Sequence, residues 1–85
     1  MPTISMFYGI IIRMYYDDYN PPHFHAFYGD CKAIFNFDGE MMEGTMPSSK
    51  KKLIIAWTLI HKDELNANWQ LAKNSEILYN INPLN

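Results

Sequence analysis

The sequence predicts one α+β domain: an antiparallel meander of four to five strands, followed by one long or two short helices packed on one face. The first half is rich in β-branched and aromatic residues interrupted by Gly- and Pro-containing turns, which favours strands. The second half repeats apolar residues at helical spacing. The 85 residues suffice for one domain only. We therefore expect a strand-rich part over residues 3–44, a helical part over 48–73 and a tail over 74–85.

Five strands are predicted in the first half. They cover Ile4–Phe7, Ile10–Tyr16, His23–Tyr28, Cys31–Phe37 and the short edge strand Glu40–Gly44. Asp17–Pro22 is predicted as a loop, because its Asp and Asn residues and two prolines disfavour both helix and strand. Gly29-Asp30 and Asp38-Gly39 are predicted as two-residue hairpin turns, and the second has the composition that type I′ turns prefer.

These two turns assign residues to the two faces of the sheet. A two-residue loop at Gly29-Asp30 pairs Phe24 with Phe35, and one at Asp38-Gly39 pairs Phe35 with Met42. Since side chains alternate along a strand, one apolar face should receive the helix. It carries Phe24, Ala26, Tyr28, Cys31, Ala33, Phe35, Phe37 and Met42. The opposite face, where a site or partner is expected, carries His23, His25, Phe27, Lys32, Ile34, Asn36, Met41 and Glu43.

The helical half begins after Pro47, where Ser48 or Ser49 is a plausible N-cap. The apolar stripe runs through Leu53, Ala56, Trp57 and Ile60, and then through Leu65, Trp69 and Ala72. Its phase slips near Lys62-Asp63, so Asp63 could cap a second helix over Glu64–Lys73.

Composition narrows the function classes. A net charge of −2 and a pI near 5.8 give no general attraction to nucleic acid or to an anionic membrane. No apolar run approaches the roughly 20 residues that span a bilayer, and the N-terminus lacks a signal-peptide pattern. The single cysteine, Cys31, cannot form an intramolecular disulfide, which fits a cytoplasmic protein.

The aromatic content is high for so small a domain. Aromatic residues make up 15% of the chain. Some of them should therefore lie outside the core, which favours a homo-oligomer or a partner surface. The tail Ile77–Leu84 is short and apolar, and we expect it to pack against the sheet or a neighbouring subunit.

The most function-like feature is the cluster Pro21–His25 at the start of a strand. His23 and His25 are two residues apart, so on a strand they point the same way with Cα atoms about 7 Å apart. Two imidazoles so placed could share one metal ion, although zinc usually takes at least three protein ligands. Asp17 and Asp18, just before the strand, are the best further ligands, and the candidate metal set is His23, His25 and Asp18. No other cofactor is implied.

Two other interpretations of this cluster remain open. His23 and His25 could act as acid and base, with Arg13 in the preceding strand binding a phosphate, as in a metal-independent ribonuclease or nucleotide-acting enzyme. Lys32 would add positive charge there. Alternatively, the histidines are structural: a His beside prolines can order a loop by bonding backbone carbonyls, and either preceding aspartate could hold it.

Several other residues have a simpler interpretation. Lys50–Lys52 lies at the start of a helix, where the helix dipole disfavours positive charge. We expect these lysines to form a solvated face or to bind an acidic partner. Trp57 is expected in the core, His61 at a helix boundary, and Trp69 in the core or at an oligomer interface. The candidate binding residues are Asp17, Asp18, Tyr28, Lys32 and Trp69.

Taken together, the motifs resemble one bacterial family, domain of unknown function 4160. The resemblance rests on Met1-Pro2-Thr3-Ile4, Asp17-Asp18, Pro22–Tyr28, Gly44–Pro47, Trp57, His61, Leu65 and Trp69. It covers nearly the whole chain, and the Pro-His-Phe-His-Ala-x-Tyr core is its most specific part. The chain departs from the family in its C-terminal tail and at Phe27.

The resemblance implies a small bacterial protein rather than a particular chemistry. Genes of this family often lie beside those of another small family, domain of unknown function 2442, which suggests a toxin–antitoxin-like pair. The resemblance thus implies a small protein partner encoded by a neighbouring gene.

Overall fold

The computed structural model describes residues 2–85, so Met1, the first residue of the sequence signature, lies outside the described residues. It shows a five-stranded antiparallel sheet in sequence order, followed by two helices, which confirms the predicted α+β arrangement. The strands are β1 Thr3–Phe7, β2 Ile10–Arg13, β3 His23–Tyr28, β4 Cys31–Asn36 and β5 Met41–Gly44, and the helices are α1 Ser48–Ile60 and α2 Lys62–Lys73. Within residues 2–85, no helix is long and apolar enough to cross a bilayer.

The register of β3 and β4 is the predicted one, with Phe24 opposite Phe35. The inner face of these strands is buried through Phe24, Ala26, Ala33, Phe35 and, just beyond β4, Phe37. Trp57 of α1 stands edge-on to Phe24 with ring centroids 5.6 Å apart, and its side chain is fully buried. The sheet and α1 thus form one core around Trp57, as the sequence predicts.

The turn between β4 and β5 differs from the prediction. The Asn36 side-chain oxygen accepts the backbone amides of Asp38 and Glu40, at 3.0 and 2.9 Å, and this lengthens the turn. The register shifts there, so Phe35 pairs with Met41 rather than Met42. The predicted assignment of Met42 to the apolar face is therefore wrong, because Met42 is exposed whereas Met41 packs against the core.

Strand β2 is shorter than predicted. It ends at Arg13, and the chain from Met14 to Pro22 forms a loop that begins with the fully buried Met14. The Met14 amide donates to the Pro2 carbonyl at 3.2 Å, so the loop leaves the sheet beside the start of β1.

Helix α1 begins at Ser48 with no side-chain cap, so the predicted serine cap is wrong. The phase of its buried stripe also differs, because the buried positions are Ile54, Trp57 and Thr58, whereas the predicted Ala56 and Ile60 are exposed. The Thr58 hydroxyl donates to the Ile54 carbonyl at 2.6 Å, which allows a polar residue on the buried face.

Helix α2 follows directly after His61, which lies at the boundary between the two helices, as predicted. Asp63 lies in the first turn of α2 and does not cap it. The predicted stripe is confirmed, since Leu65, Trp69 and Ala72 are all buried.

The C-terminal tail packs against β1 and both helices. The Ile81 amide donates to the Ile4 carbonyl at 2.7 Å, and the Trp57 indole donates to the Asn82 carbonyl at 2.8 Å. Asn68 of α2 is fully buried and bonds both the amide and the carbonyl of Tyr79 through its side chain. The tail therefore contacts the β1 edge of the sheet at Ile4, and β5 forms the other edge.

Gly44 should be the least replaceable glycine. It has φ +91, and a Cβ there would lie 2.2 Å from the Lys32 carbonyl oxygen and 2.7 Å from the Ala33 Cα. Gly29 also has positive φ, +55, but a Cβ at that position would have no neighbouring atom within 4 Å. We expect Gly29→Ala to cost about 1 kcal/mol of stability from backbone strain alone, and Gly44→Ala more than about 3 kcal/mol. Urea unfolding of both variants checks this, and equal losses would contradict it.

Candidate metal centre

The loop before β3 is held by the C-terminal end of α2. The Asp17 amide donates to the Ala72 carbonyl at 3.3 Å, and the Lys73 ammonium donates to the Asp18 carbonyl. Lys73 also lies 5.2 Å from the centre of the Trp69 ring. These contacts place the Asp18 side chain against the first residues of β3.

Three potential metal ligands converge at this point. Asp18 Oδ2 lies 2.9 Å from His23 Nε2 and 3.5 Å from His25 Nε2, and all three atoms lie within 4.8 Å of one another. Among residues 2–85 this is the one group of three or more His, Cys, Asp or Glu side chains with such spacing.

The tautomer of His23 follows from its hydrogen bonds. Its Nδ1 lies 2.7 Å from the Pro21 carbonyl oxygen, which can only accept, so Nδ1 carries a proton. Nε2 then faces the Asp18 carboxylate with its lone pair unless a proton or a cation lies between them. The ring is only 1% exposed, with Tyr19 and Trp69 packed against it at centroid distances of 5.2 and 5.3 Å.

His25 has an unsatisfied buried nitrogen. Its Nε2 is inaccessible to solvent and forms no hydrogen bond within the described chain. Asp18 Oδ2 is near it at 3.5 Å, but this contact does not meet hydrogen-bond geometry. Tyr15 packs edge-on against the ring at 4.4 Å. Burial lowers the pKa of His25 below its ordinary value, and this outweighs the opposing effect of Asp18.

Asp18 is prepared to act as an anion. Burial on its own would raise its pKa, but the Tyr19 backbone amide and the adjacent His23 outweigh burial and lower the pKa overall. The Tyr19 amide donates to Oδ1 at 2.9 Å, which leaves Oδ2 directed at the two imidazoles. Asp18 is therefore held as a carboxylate beside the two histidine rings.

The predicted exposure of both histidines is wrong for His23. The register places it opposite Asn36 as expected, but the loop and α2 cover its ring, and both of its nitrogens are engaged. An acid–base pair of His23 and His25 on one substrate therefore lacks support from this geometry. The predicted structural bonds, from a histidine to a backbone carbonyl and to an aspartate, are both present.

The two predicted cationic residues, Arg13 and Lys32, lie on strands next to β3. Arg13 is opposite His25, but its Nε donates to Thr3 and its guanidinium lies over Phe27 at 5.3 Å. Lys32 is exposed, opposite Phe27 on the same outer face.

Three further candidate binding residues, Asp17, Tyr28 and Trp69, are not part of the set of converging ligands. The Asp17 side chain is exposed, outside the converging set. Tyr28 lies beneath Lys50, whose ammonium is 4.9 Å from its ring centre. Trp69 is 4% exposed and supports His23 from behind, so it is not available as an exposed oligomer anchor.

Sequence reasoning missed Tyr15, Tyr19 and Lys73. Each reaches the cluster through the path of the Met14–Pro22 loop or through α2, and no spacing in the sequence relates these residues to the two histidines. The nearest signal was the pair of prolines, which indicated an ordered loop.

The comparisons with known proteins identify the family. The family model named Domain of unknown function (DUF4160) matches residues 9–70, which is more than half of the chain. The chain therefore belongs to this family, as the resemblance in its motifs predicted. No curated protein and no solved structure matches the chain.

The metal-free protein should lose stability as the pH falls below about 6.5. The pKa of His25 is lowered in the folded state from its ordinary 6.5, so below that value the unfolded chain binds more protons. This contribution is fully present above 6.5 and is lost as the pH falls through the folded pKa. The lowered pKa of Asp18 acts in the same direction below its ordinary 3.8.

Urea unfolding in the presence of a chelator, from pH 7.5 to pH 5, measures this slope. We expect His25→Gln to flatten it and His61→Gln, at the helix boundary, to leave it unchanged. A slope that survives in His25→Gln would assign the effect to another group.

Proposed function

We propose that this member of the DUF4160 family binds one divalent transition-metal ion through Asp18 Oδ2, His23 Nε2 and His25 Nε2. One observation carries the proposal: one carboxylate oxygen and two imidazole nitrogens converge in a largely buried site, and the Nδ1 proton of His23 is taken by Pro21, which leaves its Nε2 directed at the other two atoms. A cation at the centre would satisfy all three donors at once.

The distances fit such an ion. Two ligands held about 2.1 Å from a tetrahedral zinc ion lie roughly 3.4 Å from each other. The two separations from Asp18 Oδ2, 2.9 and 3.5 Å, bracket this value. The third separation, between the two histidine nitrogens, is within 4.8 Å, so an ion would draw the two imidazole rings closer together.

The surroundings also fit a metal centre. A metal-binding histidine usually donates its other ring N–H to a carbonyl or carboxylate, and His23 donates to Pro21. A ligating carboxylate is usually held by a further hydrogen bond, and Tyr19 supplies it at Oδ1. Two imidazoles and one carboxylate suit zinc and ferrous iron, and such a ligand set leaves at least one coordination position for water or a ligand.

The competing explanation is an ion pair. If His23 carried a second proton, it would donate to Asp18, and the pair would order the loop without any metal. That arrangement satisfies His23 but leaves the buried Nε2 of His25 without a partner. The metal accounts for both histidines, which is why we favour it.

Protein purified without an affinity tag should take up one zinc ion per chain in a titration monitored by calorimetry and elemental analysis. Asp18→Asn keeps the size of the side chain but weakens a ligand, and should lower the affinity at least about 100-fold. Cobalt substituted into the site should give a d–d absorption band that is lost in His25→Gln.

The matched controls are Asp17→Asn, one residue away with an exposed side chain, and His61→Gln. Both should bind zinc as the wild type does. Equal zinc affinity in Asp18→Asn and the wild type, or no uptake by folded wild-type protein, would refute the metal centre and favour the ion pair.

A second candidate function, binding to another protein, is favoured by the exposed apolar side chains. Leu59 and Ile60 end α1 at 57% and 65% exposure, and Ile77 and Tyr79 of the tail are 87% and 69% exposed. Large apolar groups at such exposure are typical of interaction surfaces when they are clustered. The motif resemblance adds the expectation of a small partner encoded by a neighbouring gene in a toxin–antitoxin-like pair, and the aromatic content adds that of a homo-oligomer.

Light scattering at micromolar concentration should then give a mass above that of one chain, either for the protein alone or after co-expression with the neighbouring gene product. Ile60→Lys should reduce that mass, whereas Lys62→Gln, two residues on, should not. A monomer mass in both preparations would contradict this second function and leave the metal centre unaffected.

A further inference from the structure

A groove of about 420 Å³ lies on the outer face of the sheet beside the cluster. Strands β3, β4 and β5 and the loop after β2 form it. The side chains that line it include Tyr15, His25, Phe27, Lys32, Ile34 and Glu43. Its volume falls in the range of about 300–1,000 Å³ that small-molecule sites occupy. Because His25 belongs both to this lining and to the cluster, the two sites are contiguous.

The groove is also the side from which a ligand would reach a bound ion. His23 is closed off by Tyr19 and Trp69 and is 1% exposed. The His25 side chain is 23% exposed and lines the groove. His25 Nε2 itself is inaccessible to solvent, so a ligand in the groove would reach a bound ion past the exposed part of the His25 ring.

The floor of the groove is apolar. Phe27 and Ile34 are half-buried on neighbouring strands, with Ile34 directly opposite His25 and Phe27 two residues along β3 from His25. A hydrocarbon group laid across them would bury apolar area on both sides. The body of a ligand that fits this floor is thus apolar.

The charges around this floor favour an anionic head group near the ion. Lys32 of β4 lies opposite Phe27, and Arg13 of β2 lies opposite His25 with its guanidinium 5.3 Å from the centre of the Phe27 ring. Lys32 makes no ion pair with any residue in the described part of the chain. Glu43, opposite Ile34 on β5, places negative charge at the far side and disfavours a second anionic group there.

We propose that this groove binds a small amphipathic monocarboxylate, whose carboxylate completes the coordination of the metal ion and whose apolar body lies on Phe27 and Ile34. This inference rests on the proposed metal centre. It adds to the proposed ion a second ligand, an amphipathic monocarboxylate bound in the adjacent groove.

The test uses the full-length zinc-loaded protein and 3-phenylpropionate as the probe, followed by backbone amide NMR shifts. Acetate lacks the apolar body and 3-phenylpropan-1-ol lacks the carboxylate. We expect the complete probe to bind at least 10-fold more tightly than either fragment, with the largest shifts at Phe27, Ile34 and Tyr15. Removal of zinc should weaken binding of the complete probe at least 10-fold, and binding of the alcohol much less.

Two variants test the groove itself. Ile34→Ala removes part of the floor and should weaken the probe by about 5-fold, as expected for one to two buried methylene groups. Lys32→Gln removes an exposed charge and should weaken it by about 3-fold. Because Lys32 is exposed, this variant should fold even if Ile34→Ala does not. Lys52→Gln on α1 is the matched control and should leave the affinity unchanged.

The outcomes separate the two proposals. Zinc uptake with equal affinities for 3-phenylpropionate and 3-phenylpropan-1-ol, or with shifts away from the groove, would overturn the ligand inference and leave the metal centre in place. Failure to take up zinc would overturn both.

Discussion

The attachment of the Met14–Pro22 loop to the C-terminal end of α2 is the constraint on which the rest of the site depends. Trp69 fixes α2 on the core by packing edge-on against Phe37 at 6.2 Å, and it packs against His23 as well. Lys73, one turn further along α2, holds the backbone of Asp18. One face of α2 therefore determines how deeply His23 is buried and where Asp18 lies, although α2 is far from both residues in the sequence.

This arrangement brings together groups that repel or lack partners unless something is added. A buried imidazole nitrogen without a hydrogen bond costs about 1–3 kcal/mol, and His25 Nε2 is such an atom. His23 Nε2 and Asp18 Oδ2 lie 2.9 Å apart, a separation that needs a proton or a cation between the two atoms. Folded proteins keep such unfavourable clusters mostly at functional sites, where a ligand, proton or ion supplies the missing charge. The buried Nε2 of His25 is thus the one atom of the cluster whose position packing within the described residues leaves unexplained.

The sequence predicted the parts of this site that local geometry determines. The Gly29-Asp30 turn predicted the β3–β4 register. That register gives His23 and His25 a common direction and places Cys31 on the opposite face of the sheet. One long-range contact and one local side-chain hydrogen-bond pattern account for two of the differences. The burial of His23 depends on Trp69, which lies in the other half of the chain. The side chain of Asn36 lengthened a turn that its Asp-Gly composition predicted to be tight, and so displaced Met42.

The range of the family match includes all three candidate metal ligands but only part of the exposed apolar surface, because Leu59 and Ile60 lie within it and the tail residues do not. Asp18, His23 and His25 all lie within residues 9–70, as do the groove residues Lys32 and Glu43. The three candidate ligands and these groove residues thus lie in the part of the chain that the family model matches. Ile77 and Tyr79, the most exposed apolar residues of the tail, lie outside that range. Ile81 and Asn82 attach the tail through Ile4 of β1 and Trp57 of α1, away from the outer sheet face that carries the groove, so a change in the tail surface can be tested without disturbing the three candidate ligands.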